Sequence, residues 1–434
     1  MSDPKREDMA EVLAERRYQA ISKIMEAAVS RGEGRWTRTE IFDHVFLSRP
    51  LGIPIFLALL WAVFTFTFAL SEPFMVGTEL LFGWMGGLAA AGVENPRIAS
   101  FVAAGIFGGL GSVLVFVPPI FMLFFALAIL EDSGYMARAA FLMDRVMQSL
   151  GLHGRSFIPM MMGFGCNVPA IMAARSIEGE KERMITILIS PLISCGARLP
   201  VYVLIAGAVF GAGTAGTAIF TIYLLGILLA IIMALVFRRT LFRGEPSPFL
   251  LELPSYAVPG AKTAVLQMWA RGKWFLVRAG TVIFGTVVVV WLLAAHPWEV
   301  TAGGVLIENS YIASLGRQLE PLVSPFGWDW MAAVALLFGL LAKEVVVGTY
   351  GILLGSEEAA LGSSLVALGL FTPLSGFAFM AFVLIYAPCF AVVVTIAKEA
   401  NSRRWAAFAV AYLLALAFVV SGLIVGIGRL LGFS

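Results

Sequence analysis

From Leu51 onward the chain returns repeatedly to apolar stretches of about twenty residues or more that carry few or no charges, the length that crosses a bilayer. Candidate spans lie at 51–70, 101–130, 184–210, 217–237, 275–295, 331–354, 365–397 and 405–428. Apolar surface on that scale cannot stay in water without associating. The composition agrees, since 60% hydrophobic and 13% charged residues leave too few charges to cover a soluble surface. The expected fold class is all-α: a polytopic transmembrane helical bundle of about eight to ten spans.

Charge outside those stretches organises the rest. A net charge of +2 gives no footprint for nucleic acid, and three cysteines in 434 residues make no disulfide framework. Residues 1–48 are polar and start without an apolar run, so they read as no cleaved signal peptide. Ser2-Asp-Pro4 and the capping box Thr37-Arg-Thr-Glu40 open two short amphipathic helices that need a partner surface. Basic residues crowd 175–183, 238–278 and 398–404, whereas 71–100 and 296–330 carry Glu72, Glu79, Glu94, Glu299, Glu308, Glu320 and Asp329. The basic loops and the N-terminus are therefore expected in the cytoplasm, and the acidic loops outside. Glu131, Asp132, Arg138, Asp144 and Arg145 read as a solvated cytoplasmic helix with ordinary ion pairs.

Several spans are broken. Pro118-Pro119, Pro191, Pro200 and Pro388 interrupt apolar runs, and the short piece 157–174 holds Pro159, Gly163, Gly165 and Pro169. Such breaks free backbone carbonyls, which a membrane tolerates only where protein or a water-lined cavity satisfies them. In matching places of two halves they point to a transport site. A weak internal repeat supports this: Cys166 is followed nine residues on by Arg175, and Cys389 nine residues on by Lys398, each at a charged exit. Cys166, Cys195 and Cys389 all sit beside such breaks, where thiolates and carbonyls can hold a borderline-soft metal ion. One such cysteine alone is as often a small buried hydrophobe.

Glu344, with Lys343 beside it, interrupts an otherwise apolar segment, and an intramembrane ionisable group is by default a functional residue. The alternative is that 331–342 and 345–354 are half-helices meeting at the interface. Arg198, beside Pro200, has three readings: neutralising a carboxylate, capping freed carbonyls, or snorkelling. Met160-Met-Met162 is flexible packing more readily than a ligand set. His44, His153 and His296 are dispersed without metal spacing. No phosphate-cradling loop, nucleophile elbow or zinc-protease motif occurs in the sequence, so it reads as a transporter and not an enzyme.

Gly163-Phe-Gly-Cys-Asn-Val-Pro-Ala-Ile-Met-Ala-Ala-Arg175 and Ser190-Pro-Leu-Ile-Ser-Cys-Gly-Ala-Arg-Leu-Pro-Val-Tyr202 resemble the membrane domain of the bacterial ferrous iron transport protein B family. Asp43 to Phe56, Tyr135 to Arg145, Lys343 to Gly348 and Pro388-Cys389 extend the resemblance over nearly all of 40–430. It implies Fe²⁺ uptake across the bacterial cytoplasmic membrane through two related gate-type repeats with broken or re-entrant helices. On that reading 1–48 is a cytoplasmic helical linker and 49–240 holds the first repeat. A cytoplasmic basic loop follows at 241–274, and 275–434 holds the second repeat.

The resemblance also makes Cys166, Cys195, Cys389 and Glu344 the metal-handling set, with Asn167 and Arg198 along the same pathway. It implies no bound cofactor, only Fe²⁺ as substrate. The family's N-terminal GTPase domain has no counterpart in the sequence, so GTP is expected to act through a separate GTPase domain or protein. Oligomeric state, a homo-oligomer included, stays open. Two other readings also stay open: a gate-type transporter of an organic solute such as a nucleoside, and a non-transporting scaffold for a GTPase partner.

Overall fold

A computed structural model describes residues 49–432 apart from 96–97, 100, 150–151, 153, 244–255, 297–299, 302–303, 306–309 and 355–357. Of residues 1–48 it describes only 17, 20–21, 24–25, 39, 43–44 and 46–48. Most of the two amphipathic helices expected there, the middle of the basic loop, His153, Glu299 and Glu308 lie outside the described residues. The chain forms two units, Met1–Ser48 and Arg49–Ser434, and the second contains the membrane bundle.

Sixteen α-helices are described in this second unit. They are α1 (Arg49–Ala91), α2 (Gly108–Leu114), α3 (Val117–Asp132), α4 (Tyr135–Ser149), α5 (Phe157–Gly163), α6 (Asn167–Ala173), α7 (Glu180–Ile189) and α8 (Leu199–Thr240), then α9 (Ala261–Ala295), α10 (Tyr311–Val323), α11 (Trp330–Phe338), α12 (Val345–Leu354), α13 (Glu358–Ala367), α14 (Pro373–Ile385), α15 (Phe390–Glu399) and α16 (Arg403–Leu430). A two-rung antiparallel ladder, β1 (Val300–Thr301) with β2 (Gly304–Val305), is the sheet structure among the described residues.

Among those residues five helical stretches are long and apolar enough to cross a membrane, or seven if each of two bent pairs counts as one. That is fewer than the eight to ten expected, because several apolar runs are divided. The 101–130 run divides at Val115–Phe116, and Val117-Pro118 opens α3 instead of kinking it, since proline is tolerated in a first helical turn. The 331–354 run splits into α11 and α12, with 339–344 between them. The bent pairs are α3 with the Tyr135–Asp144 part of α4, at 77°, and Tyr311–Phe326 with α11, at 104°.

Two further expectations are corrected. The outward loop over 71–100 is helical as far as Ala91, with Glu72 and Glu79 exposed on α1. Glutamate is a good helix former, and a helix that satisfies its own backbone needs no water at that point. Arg138 is not solvated but 1% exposed. Its guanidinium lies 3.7 Å from the Tyr256 ring centroid and donates to Gly134 O at 2.9 Å, because a planar cation can stack on an aromatic face. Its neighbour Glu131 does make an ordinary pair, with Arg271 at 2.9 Å.

Burial concentrates on α14, whose inner residues from Ala378 to Ile385 are all buried against α8 and α16. Ala206, Ala230, Ala234, Ala409 and Ala417 are fully buried, and small residues let membrane helices approach closely. Trp328 packs edge-on against Phe379 and Phe382 and donates its Nε1–H to Ser375 O at 2.9 Å. Within α8 the chain turns at Gly211, with φ 67° and ψ 172°, so that Glu180–Gly211 and Gly213–Thr240 count as separate spans. Only glycine adopts that conformation without strain. Gly211→Ala is expected to cost about 1–3 kcal/mol, read as a lowered Tm of the detergent-solubilised protein.

Candidate functional site: a cavity between four broken helices

Four breaks lie in comparable places of two halves. In the first half α5 gives way to α6 at 164–166, and α7 gives way to α8 at 190–198. In the second, α11 gives way to α12 at 339–344, and α14 to α15 at 386–389. Local chemistry makes each of them. Pro388 disfavours helical backbone at Ala387, whereas Pro169 and Pro200 sit in first turns where the next helix restarts. Gly339 is needed for close approach, since any Cβ there would collide with the Tyr386 hydroxyl.

Backbone hydrogen bonds join the two breaks within each half. Gly196 N donates to Gly165 O at 3.1 Å, and Phe390 N to Leu341 O at 3.2 Å, so each hydrogen bond ties one break to the other. One buried cation completes each pair. Arg198, 1% exposed, donates from Nη1 to Ile193 O at 3.2 Å and from Nη2 to Pro191 O at 3.0 Å. Of its three readings, the structure shows carbonyl capping. Lys343, 2% exposed, donates to Ala387 O at 2.7 Å with its ammonium 3.2 Å from the Tyr386 ring centroid. It therefore does not snorkel.

All six pathway residues singled out in the sequence border one cavity of about 380 Å³: Cys166, Asn167, Cys195, Arg198, Glu344 and Cys389. Each cysteine is a free, half-buried thiol placed just before a helical turn. Asn167 donates Nδ2 to Ile193 O at 3.4 Å, while its Oδ1 is buried without a partner. Lys343 lines the same cavity, as do Phe64, Thr67 and Phe68 of α1. Sequence reasoning missed Thr67, which reads as one more residue of an apolar run. Among the described residues no three His, Cys, Asp or Glu side chains are grouped to hold a metal ion together. The cavity is thus not a preformed cage of the kind that retains a structural metal.

A second cavity, of about 580 Å³, adjoins the first. Cys166, Val168 and Phe124 border both, and the second continues past Met162 and Met172 to Glu131, Arg175, Ser176 and Arg271. Cys166 therefore stands at the partition between a mostly apolar chamber and one with a charged rim.

The weak internal repeat has a physical counterpart here. Helices α6 and α15 pack together, with Cys166 and Cys389 at their starts on the cavity and charged residues at their far ends. There Arg175 donates from Nε and Nη2 to the two carboxylate oxygens of Glu399, each at 2.5 Å. Those bonds hold the Arg175 guanidinium even more firmly protonated than usual. Glu399 is 6% exposed and Arg175 54%, so the pair keeps only part of its Coulomb energy. Reversing Arg175 alone to Glu is expected to cost about 1–2 kcal/mol, and the double swap Arg175→Glu/Glu399→Arg to restore most of it. Melting temperatures of the two variants beside the native protein check this.

A family model described as nucleoside recognition, the Gate model, matches residues 113–209 and 276–403. A second, described as ferrous iron transport protein B C terminus, matches 219–271. The chain is 46% identical over 425 residues to the Fe(2+) transporter FeoB of Methanocaldococcus jannaschii, covering 96% of this chain and 63% of that protein. It is 44% identical over 401 residues to the Staphylococcus aureus protein of the same name, covering 89% and 59%. With the Campylobacter jejuni one it shares 36% identity over 422 residues, covering 95% and 69%. The chain thus spans about 60% of the length of the first two of these relatives. No solved structure matches it.

Proposed function

This chain belongs to the ferrous iron transport protein B family, and from that premise we propose that it carries Fe²⁺ across the bacterial cytoplasmic membrane through the cavity between the broken helices. The observation that carries the reading is the convergence of three cysteines, one glutamate and Asn167 on a single cavity. Four separate stretches of sequence supply these residues, and they meet at helix breaks.

The ion sheds part of its water against Glu344 and the polar groups at the breaks, Asn167 among them, and is gathered by Cys166, Cys195 and Cys389. It then passes Cys166 into the second chamber and leaves at the rim of Glu131, Arg175 and Arg271. No tight cage is needed, because an ion that binds strongly does not leave. Fe²⁺ sits low in the divalent affinity order, so selection rests on geometry and ligand type. The N-terminus and the basic loops lie in the cytoplasm by their charge. GTP acts through a GTPase domain outside these 434 residues or on a partner, and this chain contributes the membrane path.

The test is Fe²⁺ uptake into proteoliposomes holding this chain, under anaerobic reductant, followed by an Fe²⁺-sensitive dye sealed inside. Uptake above that of protein-free vesicles is expected. Its absence both alone and with a family GTPase domain added would remove the proposal. A second reading, an organic solute, is favoured by the aromatic wall of Phe64, Phe68 and Phe116 and by a cavity volume in the small-molecule range. It predicts that nucleosides compete with Fe²⁺ or are themselves taken up.

A further inference from the structure

The hydrogen bonds across the breaks fix a register that relates the two halves residue by residue. In the first half Gly196 N donates to Gly165 O at 3.1 Å, and Asn167 Nδ2 to Ile193 O at 3.4 Å. As one break rises from 165 to 167 the other falls from 196 to 193, so the two run antiparallel. The second half repeats the pattern, with Phe390 N on Leu341 O at 3.2 Å and Lys343 Nζ on Ala387 O at 2.7 Å. Lys343 thus stands where Asn167 does, and Cys389 where Cys195 does. The counterpart of Cys166 is Ala342.

That register sets Cys166 opposite Cys195. The bond from Gly196 N to Gly165 O joins the residue after Cys195 to the residue before Cys166, which makes the two cysteines a non-hydrogen-bonded antiparallel pair. Both have extended backbone, with φ −153° and ψ 129° at Cys166 and φ −82° and ψ 161° at Cys195. Residues so placed have Cα atoms about 4.5 Å apart and side chains on one face. A disulfide takes Cα separations of ~4.4–6.8 Å. Both thiols are free and half-buried, and both residues border the first cavity. Cys195 is also the ionisable group whose charge acts most strongly on Cys166, ahead of Cys389 and Glu344. In the second half the same register sets Cys389 opposite Ala342, so that half offers one thiol and the first half two.

We propose that Cys166 and Cys195 are a reversible disulfide site, oxidised by hydrogen peroxide, and that closing the bond shuts the ion's path. The bond follows from the register, and its effect on flux rests on reading the cavity as that path. Cys166 borders the second cavity as well, whose rim is exposed at Glu131 and Arg175 and gives a small neutral oxidant a way in. The Cys166 thiolate attacks one peroxide oxygen, the O–O bond breaks and hydroxide leaves, which makes a sulfenic acid. The Cys195 thiolate attacks that sulfur, the S–O bond breaks and a second hydroxide leaves. The hydroxides take up the two protons the thiols lose, so two thiols and one peroxide become one disulfide and two waters. A metal is bound by thiolate, so two of the three sulfurs leave the pathway together.

The test treats the purified native chain in detergent with hydrogen peroxide, removes the oxidant, and maps linked peptides by mass spectrometry without reduction. A Cys166–Cys195 link is expected, kept in Cys389→Ser and lost in Cys195→Ser. The variant Cys166→Ser/Ala342→Cys is expected to link position 342 to Cys389, which checks the register in the other half. In proteoliposomes of the native chain, the same treatment is expected to lower Fe²⁺ uptake at least about tenfold, the scale on which a metal site suffers from one lost interaction, and dithiothreitol to restore it. Absence of the Cys166–Cys195 link, a dominant link from Cys195 to Cys389, or a link that leaves uptake unchanged overturns the inference. Should the reduced native chain carry no Fe²⁺, the transport reading and the closure that rests on it fail together, and the linked peptides still decide the disulfide.

Discussion

Glu344→Gln is expected to lower Fe²⁺ flux by at least about tenfold while leaving the protein folded. Glu344 is the one carboxylate among the residues lining the first cavity, and it shares that space with the buried cations Arg198 and Lys343. A dication entering a cavity that the Arg198 guanidinium borders depends on that negative charge. At an effective dielectric near ~20, one unit charge a few ångströms from a dication is worth several kcal/mol. A tenfold loss of rate needs only ~1.4 kcal/mol. Glutamine keeps the shape and half-burial of the side chain, so initial uptake rates at equal protein density isolate the charge. Equal rates in the two proteins would mean that Glu344 does not face the ion.

Arg198→Ala is expected to have the largest effect on stability of any single substitution at the site. The guanidinium holds the carbonyls of Ile193 and Pro191, which the 190–198 break leaves without helical partners. Its removal leaves Pro191 O unpaired at about 1–3 kcal/mol and Ile193 O with only the long bond from Asn167 Nδ2, in a place where water cannot readily replace the guanidinium. Cys195 lies between those two contacts and the start of α8, so its position should loosen as well. Arg198→Lys reaches one carbonyl at a time and is expected to fall midway. Melting temperatures in detergent check the order native, Lys, Ala. An unchanged melt for Arg198→Ala would show that the break holds itself without the cation.

Legible and hidden features of the sequence divide along physical lines. Helix breaks are legible because proline and glycine act locally: Pro388 and Pro169 dictate backbone whatever packs around them. Cys166, Cys195 and Cys389 can be singled out because they stand beside those breaks, and the cavity they share is a matter of tertiary packing that offsets along the chain only suggest. The offset of nine residues from Cys166 to Arg175 and from Cys389 to Lys398 is the trace of two half-helices, α6 and α15, laid side by side. Span ends are harder to read. Glu72 and Glu79 look like a loop by hydropathy, yet α1 runs through them because helix propensity does not stop at a carboxylate.

Two side chains mislead for the same reason: their environment comes from a distant element. Arg138 sits among charged residues that look solvated, and its ring partner Tyr256 comes from the distant 241–274 basic loop. Thr67 lies in Phe64-Thr-Phe-Thr-Phe68, where nothing local separates a back-bonded hydroxyl from an orphaned one. Lys343 is visible as a charge, but its partner Ala387 O belongs to the break before α15, 44 residues away. A charge is easy to find in a sequence, and its counterpart is not.

The central claim is that the thiols at the breaks carry the ion. It is tested most directly by anaerobic Fe²⁺ flux into proteoliposomes holding the native chain beside a Cys166→Ser/Cys195→Ser variant of equal thermal stability. Loss of flux in the variant, with flux in the native chain, is the predicted result. Equal flux in both would contradict it and place the ion's path elsewhere in the bundle.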